Sequence, residues 1–224
     1  IYPFHIAESA NLINLQHSCI NLMSKKSWFY VGFFVVLLAA FYGVLVSLTG
    51  LGKVKLPVLN TVHPFKFTRQ DGQEISESFV AGKVYVAEYF FTTCKGICPR
   101  MNRNMQALYN EMKGEKGFLI LSHTVDPETD SVPRLKRYAD SIGADPAIWW
   151  FLTGTKADLY KAARESYLLD DPQNSSKNIT EQFLHTQFFA LVDDKGQVRG
   201  IYDGLKQDEL VQLRKDVHIL LRGE

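Results

Sequence analysis

Cysteine is scarce in this chain: three in 224 residues, too few for the disulfide framework that holds small secreted domains together. Excess charge of either sign is missing as well. The 25 Lys and Arg against 24 Asp and Glu leave a formal net charge of +1, so no basic field is available to attract a phosphate backbone, which argues against a nucleic-acid partner. Internal repeats are absent. The first 22 residues lack a Met start, lack clear periodicity and contain no Arg. The missing Arg speaks against a mitochondrial transit peptide and for a bacterial membrane.

The longest absence is that of charge across residues 28–48, a stretch of the roughly 20 residues that a helix needs to cross a bilayer. A cleavable signal peptide would have a shorter apolar region and a small-residue cleavage site. Val44-Leu45-Val46-Ser47-Leu48 offers none, and a buried globular helix of this length would show a polar face. Residues 28–50 are therefore expected to be a transmembrane anchor. Lys25 and Lys26 balance Lys53 and Lys55, so the positive charges alone leave the orientation tied. Lys beside a short N-terminal segment keeps that segment inside, which puts everything after Gly50 outside: an inner (cytoplasmic) membrane protein facing the periplasm. Met23-Ser24-Lys25-Lys26 is the natural start, so residues 1–27 are expected to carry no function. Cys19, His5 and His17 fall there, a metal-binding tail being the alternative. Residues 51–56 read as a tether and 57–224 as one domain.

Within that domain, residues 65–68 and the turn Gln70-Asp71-Gly72-Gln73 read as strand and hairpin. Val84, Val86, Tyr89, Phe90 and Phe91 carry the strongest strand signal. A helix over 101–112 follows, with Met101, Met105, Leu108 and Met112 on one face. Next come strand 117–124, helix 132–142, strand 149–153, helix 156–166, strand 188–193, turn Asp194-Lys195-Gly196, strand 197–202 and a closing helix 207–221. Alternating strands and helices that end in a hairpin and a last helix describe an α/β, thioredoxin-like fold.

Cys94 and Cys98 stand four residues apart at the turn between the best strand and its helix. A helix N-terminus lowers thiol pKa through its dipole and unpaired amides, and Lys95 adds positive charge. These residues are expected to be reactive or metal-binding thiols rather than packing residues. A disulfide needs Cβ atoms roughly 3.5 to 4.5 Å apart, whereas thiolates sharing one metal can stand further apart. The C-x-x-x-C spacing leans toward metal and still permits oxidation.

Topology supplies a third donor. Cys94 lies past the C-terminal end of one strand and Asp126 past that of its parallel neighbour. A strand starting antiparallel at Phe188 begins at the same edge, with His185 just before it. Two thiolates and an imidazole form a soft, low-coordinate set suited to copper, with Cu(I) favoured by sulfur and Cu(II) accommodated by the His. Zinc is the rival, although structural zinc closes with four protein ligands.

The remaining histidines have plainer expectations: His218 on the surface of the last helix, His63 in a loop before Pro64, and His123 either structural or supporting the ligands. Asp126 reads as a turn-former before Pro127 or as an anchor for the metal loop. Residues 170–182, with Pro172, Asn174, Ser175, Ser176 and Asn178, read as an exposed, mobile loop leading to His185. Its Asn-Ser-Ser and Asn-Ile-Thr triplets match a glycosylation pattern that has no meaning in a bacterium.

At Thr93-Cys94-Lys95-Gly96-Ile97-Cys98-Pro99, Thr124-Val125-Asp126-Pro127-Glu128-Thr129-Asp130 and Leu184-His185-Thr186, the chain resembles the Sco/SenC family of membrane-anchored copper chaperones for cytochrome c oxidase assembly. The resemblance spans residues 57–221. It implies copper held by Cys94, Cys98 and His185 and delivered to the CuA centre of the oxidase's copper-bearing subunit. Where members often have Pro and an acidic residue between the cysteines, this chain has Lys95 and Gly96, which removes a negative charge beside the site. The competing function is a thiol-disulfide oxidoreductase that reduces the acceptor's cysteines before metallation. Such enzymes resemble one another in a cis-Pro before the late strand, and Leu184-His185-Thr186-Gln187 has a His there instead.

Overall fold

The computed structural model describes residues 24–49, 55–171, 173, 184 and 186–223. Two compact units divide at Lys53 and Val54. The first contains helix α1, Lys25–Thr49. Its stretch Lys25–Val46 is long and apolar enough to cross a membrane, and side chains such as Phe29, Phe33, Val36 and Tyr42 project outward rather than into a core.

The second unit runs β1 (Asn60–Thr61), β2 (Lys66–Arg69), β3 (Glu74–Ser76), β4 (Val84–Phe90), α2 (Cys98–Met112), β5 (Phe118–Thr124), α3 (Val132–Ser141), β6 (Trp149–Thr153), α4 (Lys156–Lys161), β7 (Phe188–Val192), β8 (Gln197–Asp203) and α5 (Gln207–Leu221). The strands form one sheet in the order β1-β8-β7-β4-β5-β6-β2-β3. β4, β5 and β6 are parallel, and β7 lies antiparallel on the other side of β4.

Every residue of β4 and of β5 is buried, as befits strands covered on both faces. Alternation sends Val84, Val86 and Phe90 toward α2, α3 and α5, where Met101, Met105, Leu135 and Leu213 close one core. Tyr85, Ala87 and Tyr89 face the opposite way, toward Leu121, Leu159, Tyr160 and Tyr167.

Register places the site. Phe90 pairs with Thr124 at the ends of β4 and β5, while Tyr85 pairs with Val192 and Ala87 with Ala190. The C-terminal ends of β4 and β5 and the N-terminal end of β7 thus share one edge, as the sequence predicts. Most element bounds lie within a residue of those expected, and the larger differences are these. Helix α2 starts at Cys98 rather than at residue 101, because Pro99 sits in the first turn, where an N–H would have no intrahelical acceptor and its absence costs nothing. The helix expected over 156–166 is α-helical only to Lys161 and then widens into a π turn, Ala162–Ser166. The carbonyls of Glu165 and Ser166 are taken by Asn60 Nδ2 at 2.6 and 3.0 Å. Strands β1 and β3 are additions to the expected set.

Candidate metal centre

The seven residues from Phe91 to Ile97 carry the chain from the end of β4 to α2. Their first turn is fixed from below by a carboxylate. Asp130, fully buried, accepts the Thr92 amide at 3.0 Å and the Thr124 hydroxyl at 2.7 Å, and it also accepts the Thr92 hydroxyl. Arg134 Nε donates to Thr92 Oγ1 at 2.7 Å. The anchoring role that the sequence offered to Asp126 therefore belongs to Asp130. Asp126 forms the local turn, its Oδ1 accepting the Thr129 amide at 3.3 Å.

Both thiols are free, Cys94 half-buried and Cys98 buried, and each shifts the acidity of the other. Burial pushes the Cys94 thiol up, but the Cys98 thiol and the backbone amides of Cys98, Gly96 and Ile97 outweigh it and hold Cys94 below its ordinary value. Cys98 goes the other way: burial, reinforced by the hydrogen bond to Cys94, pushes it up to about 12. Cys98 also packs. It is the first residue of a helix whose inner face lies on the sheet, so it joins the core, and the amides of the loop serve Cys94. The pair is polarised into an accessible sulfur disposed to be a thiolate and a buried one that keeps its proton.

Cys94 opens on a cleft of about 500 Å³ lined by Tyr89, Phe91, Ile97, Val125, Leu184 and Thr186 among others. Leu184 and Thr186 are the neighbours of position 185, and both are buried. The Leu184 amide donates to Tyr160 Oη at 3.2 Å, and Tyr160 Oη donates to the Val125 carbonyl at 3.1 Å. One buried hydroxyl from α4 thus ties the approach to β7 to the end of β5. His185 itself lies outside the described residues, as do His5, His17, Cys19 and most of 170–182 with both Asn triplets. Asp170 departs from the expected exposed loop, its carboxylate being buried 2.8 Å from Arg164 Nη2. Among the described residues no cluster of three or more His, Cys, Asp or Glu could hold a metal. The described soft donors at this edge are Cys94 and Cys98.

His123 is a core residue on the Tyr89 side of the sheet. Its ring stacks on Tyr89 with centroids 4.9 Å apart, meets Phe67 edge-on at 5.3 Å, and burial pushes its pKa down to about 4. His63 is exposed in its loop, and His218 on the last helix has its Nε2 3.6 Å from Glu111 of α2. Sequence reasoning passed over Asp130, Tyr160 and Glu88. Glu88 is fully buried, and burial pushes its pKa up to about 7. Ser122 Oγ donates to it at 2.6 Å and accepts Trp149 Nε1 at 2.8 Å. The available signal was a single acid in the run Val84-Tyr85-Val86-Ala87-Glu88-Tyr89-Phe90.

The sequence model of the SCO1/SenC family matches residues 55–218. The SCO1 protein homolog of Bacillus subtilis (strain 168) is 31% identical over 169 residues, 74% of this chain and 85% of that protein. The solved structure of BsSco, a member of the Sco family of cytochrome c oxidase assembly proteins in which a disulfide switch was identified, is 30% identical with a TM-score of 0.63, covering 76% of this chain and 99% of that one. Yeast Sco1, solved with copper bound, is 25% identical with a TM-score of 0.55, covering 71% of this chain and 89% of that one.

Proposed function

Because the chain belongs to the SCO1/SenC family, we propose that it is a copper metallochaperone that carries copper on Cys94, Cys98 and His185 and delivers it to the CuA centre of cytochrome c oxidase. The observation that carries this reading is the polarised dithiol at the mouth of a cleft walled by Leu184 and Thr186, on either side of position 185. Copper bound by yeast Sco1 supports the choice of cargo, and the assembly role of BsSco supports the acceptor.

The chemistry follows from the two sulfurs. Cys94 supplies the entry thiolate. Cys98 gives up its proton as the cation arrives, because a positive charge offsets the cost of an anionic sulfur in the core. Each thiolate is a soft donor for Cu(I), and a site of low coordination leaves room for an acceptor's ligands to displace those of the carrier one at a time. Helix α1 serves as the membrane anchor, with the second unit on the periplasmic side, where copper insertion and a controlled dithiol both belong.

A second reading, thiol-disulfide oxidoreductase, is favoured by the mutual effect of the two thiols on their acidity and by the disulfide switch of BsSco. In that role Cys94 attacks an acceptor disulfide, Cys98 resolves the mixed disulfide, and two electrons and two protons pass to the acceptor's sulfurs.

The test is metal analysis of the reduced chain in detergent after loading with Cu(I) and desalting. One copper per chain is expected, with Cys94→Ser and Cys98→Ser each losing it. No retained copper while both thiols remain titratable would reject the carrier and leave the oxidoreductase.

A further inference from the structure

Charge at the mouth of the dithiol is lopsided. Lys95 lines the cleft. Arg100 and Arg103 project from the first two turns of α2, and all three side chains are exposed. No acid among the described residues lies within ion-pair distance of any of them. The positive end of the α2 dipole lies among them. At the same sheet edge Glu128 is exposed, and Asp126 is engaged by the Thr129 amide. The chain as a whole carries only +1, so this excess is local.

The centre of the mouth is apolar. Ile97 is 36% exposed, and with Phe91, Val125 and Leu184 it makes the cleft wall beside Cys94. An apolar floor lined by Lys95, with Arg100 and Arg103 exposed on the adjoining helix, does not suit a small anion, which would need buried donors pointing inward. It suits a protein surface, whose apolar side chain fills the floor and whose carboxylates meet these cations.

We propose that this mouth docks an acceptor protein whose thiol-bearing segment is acidic at its edges and apolar at its centre, with Lys95, Arg100 and Arg103 steering its approach. The inference rests on the carrier reading for its purpose but not for its test. Two dithiol peptides of one sequence serve as probes, flanked by Glu in one and by Lys in the other. In the metal-free arm, the reduced full chain in detergent meets each peptide in its disulfide form. The Cys94 thiolate attacks the peptide S–S bond, a mixed disulfide forms and a peptide thiolate leaves. The readout is the ratio of initial rates, acidic over basic, because a ratio taken within one variant cancels any change in Cys94 nucleophilicity.

A ratio of roughly ten at low salt, falling toward one at high salt, is expected. The triple variant Lys95→Glu, Arg100→Glu, Arg103→Glu is expected to invert it. Lys116→Glu, the same charge change at the opposite edge of the sheet just before β5, is expected to leave it unaltered. A wild-type ratio of one, or a ratio that the triple variant does not move, overturns the proposal. In the second arm the copper-loaded chain meets the reduced peptides. A chain that holds no copper there defeats the carrier reading while the metal-free ratio still decides the docking proposal.

Discussion

Glu88 and His123 sit on adjacent strands, both fully buried, and they respond to pH in opposite senses. Glu88 is raised from 4.5 to about 7, so the folded state keeps a proton that the unfolded chain has lost. Its contribution to stability is full below pH 4.5 and is lost as pH rises through 7. His123 is lowered from 6.5 to about 4, so its contribution is full above pH 6.5 and is lost as pH falls through 4. Each is worth about 3 kcal/mol across its window, and between pH 4.5 and 6.5 the two slopes oppose and largely cancel. Each substitution is expected to expose the slope of the other residue. Glu88→Gln should gain stability as pH rises from 4 to 6.5, and His123→Phe should lose it as pH rises from 4.5 to 7. Urea midpoints measured against pH on the unit from Val54 onward check both; matching flat profiles in the two variants would contradict the burial argument. Both residues are visible in the sequence as polar groups in apolar strands. Their roles were not, because which face a strand residue occupies depends on pairing partners far along the chain.

Among the elements, α2 and β7 are coupled through a glycine. The Gly204 amide donates to the Gln187 carbonyl at 2.8 Å, and the Gly204 carbonyl accepts Asn104 Nδ2, from the dithiol helix, at 2.7 Å. A Cβ on Gly204 would stand 2.6 Å from Phe189 Cζ and 2.8 Å from the Gln187 carbonyl oxygen, too close for either to stay. Gly204→Ala is therefore expected to cost about 1 to 3 kcal/mol and to weaken copper retention although it touches neither cysteine. Thermal unfolding and metal analysis measure the two effects, and a variant with unchanged unfolding would refute the coupling. The major strands were legible as near-continuous runs of β-branched and aromatic residues, as strands buried on both faces are. Strands β1 and β3 span two and three residues, too short to show one. The start of α2 was hidden because Cys98 and Pro99 look like loop residues until the helix has formed around them. That Asp130 rather than Asp126 anchors the loop after β4 was hidden for a related reason: the pairing of Phe90 with Thr124 sets which carboxylate reaches Thr92.

At the scale of the whole molecule, the chain joins an apolar helix to a domain whose chemistry gathers at one sheet edge. A phosphatase fused after Glu224 should be active, as a periplasmic domain requires; an inactive phosphatase with a bright cytoplasmic reporter would reverse the orientation. The central claim is that the soft donors at this edge hold copper for delivery, and it depends on the one proposed ligand that a purely redox role would not need. The direct measurement is the copper content of cytochrome c oxidase in cells whose only copy of this chain carries His185→Ala. The account predicts an oxidase deficient in CuA copper while Cys94 and Cys98 still form and break their disulfide; an oxidase with its normal copper would contradict it.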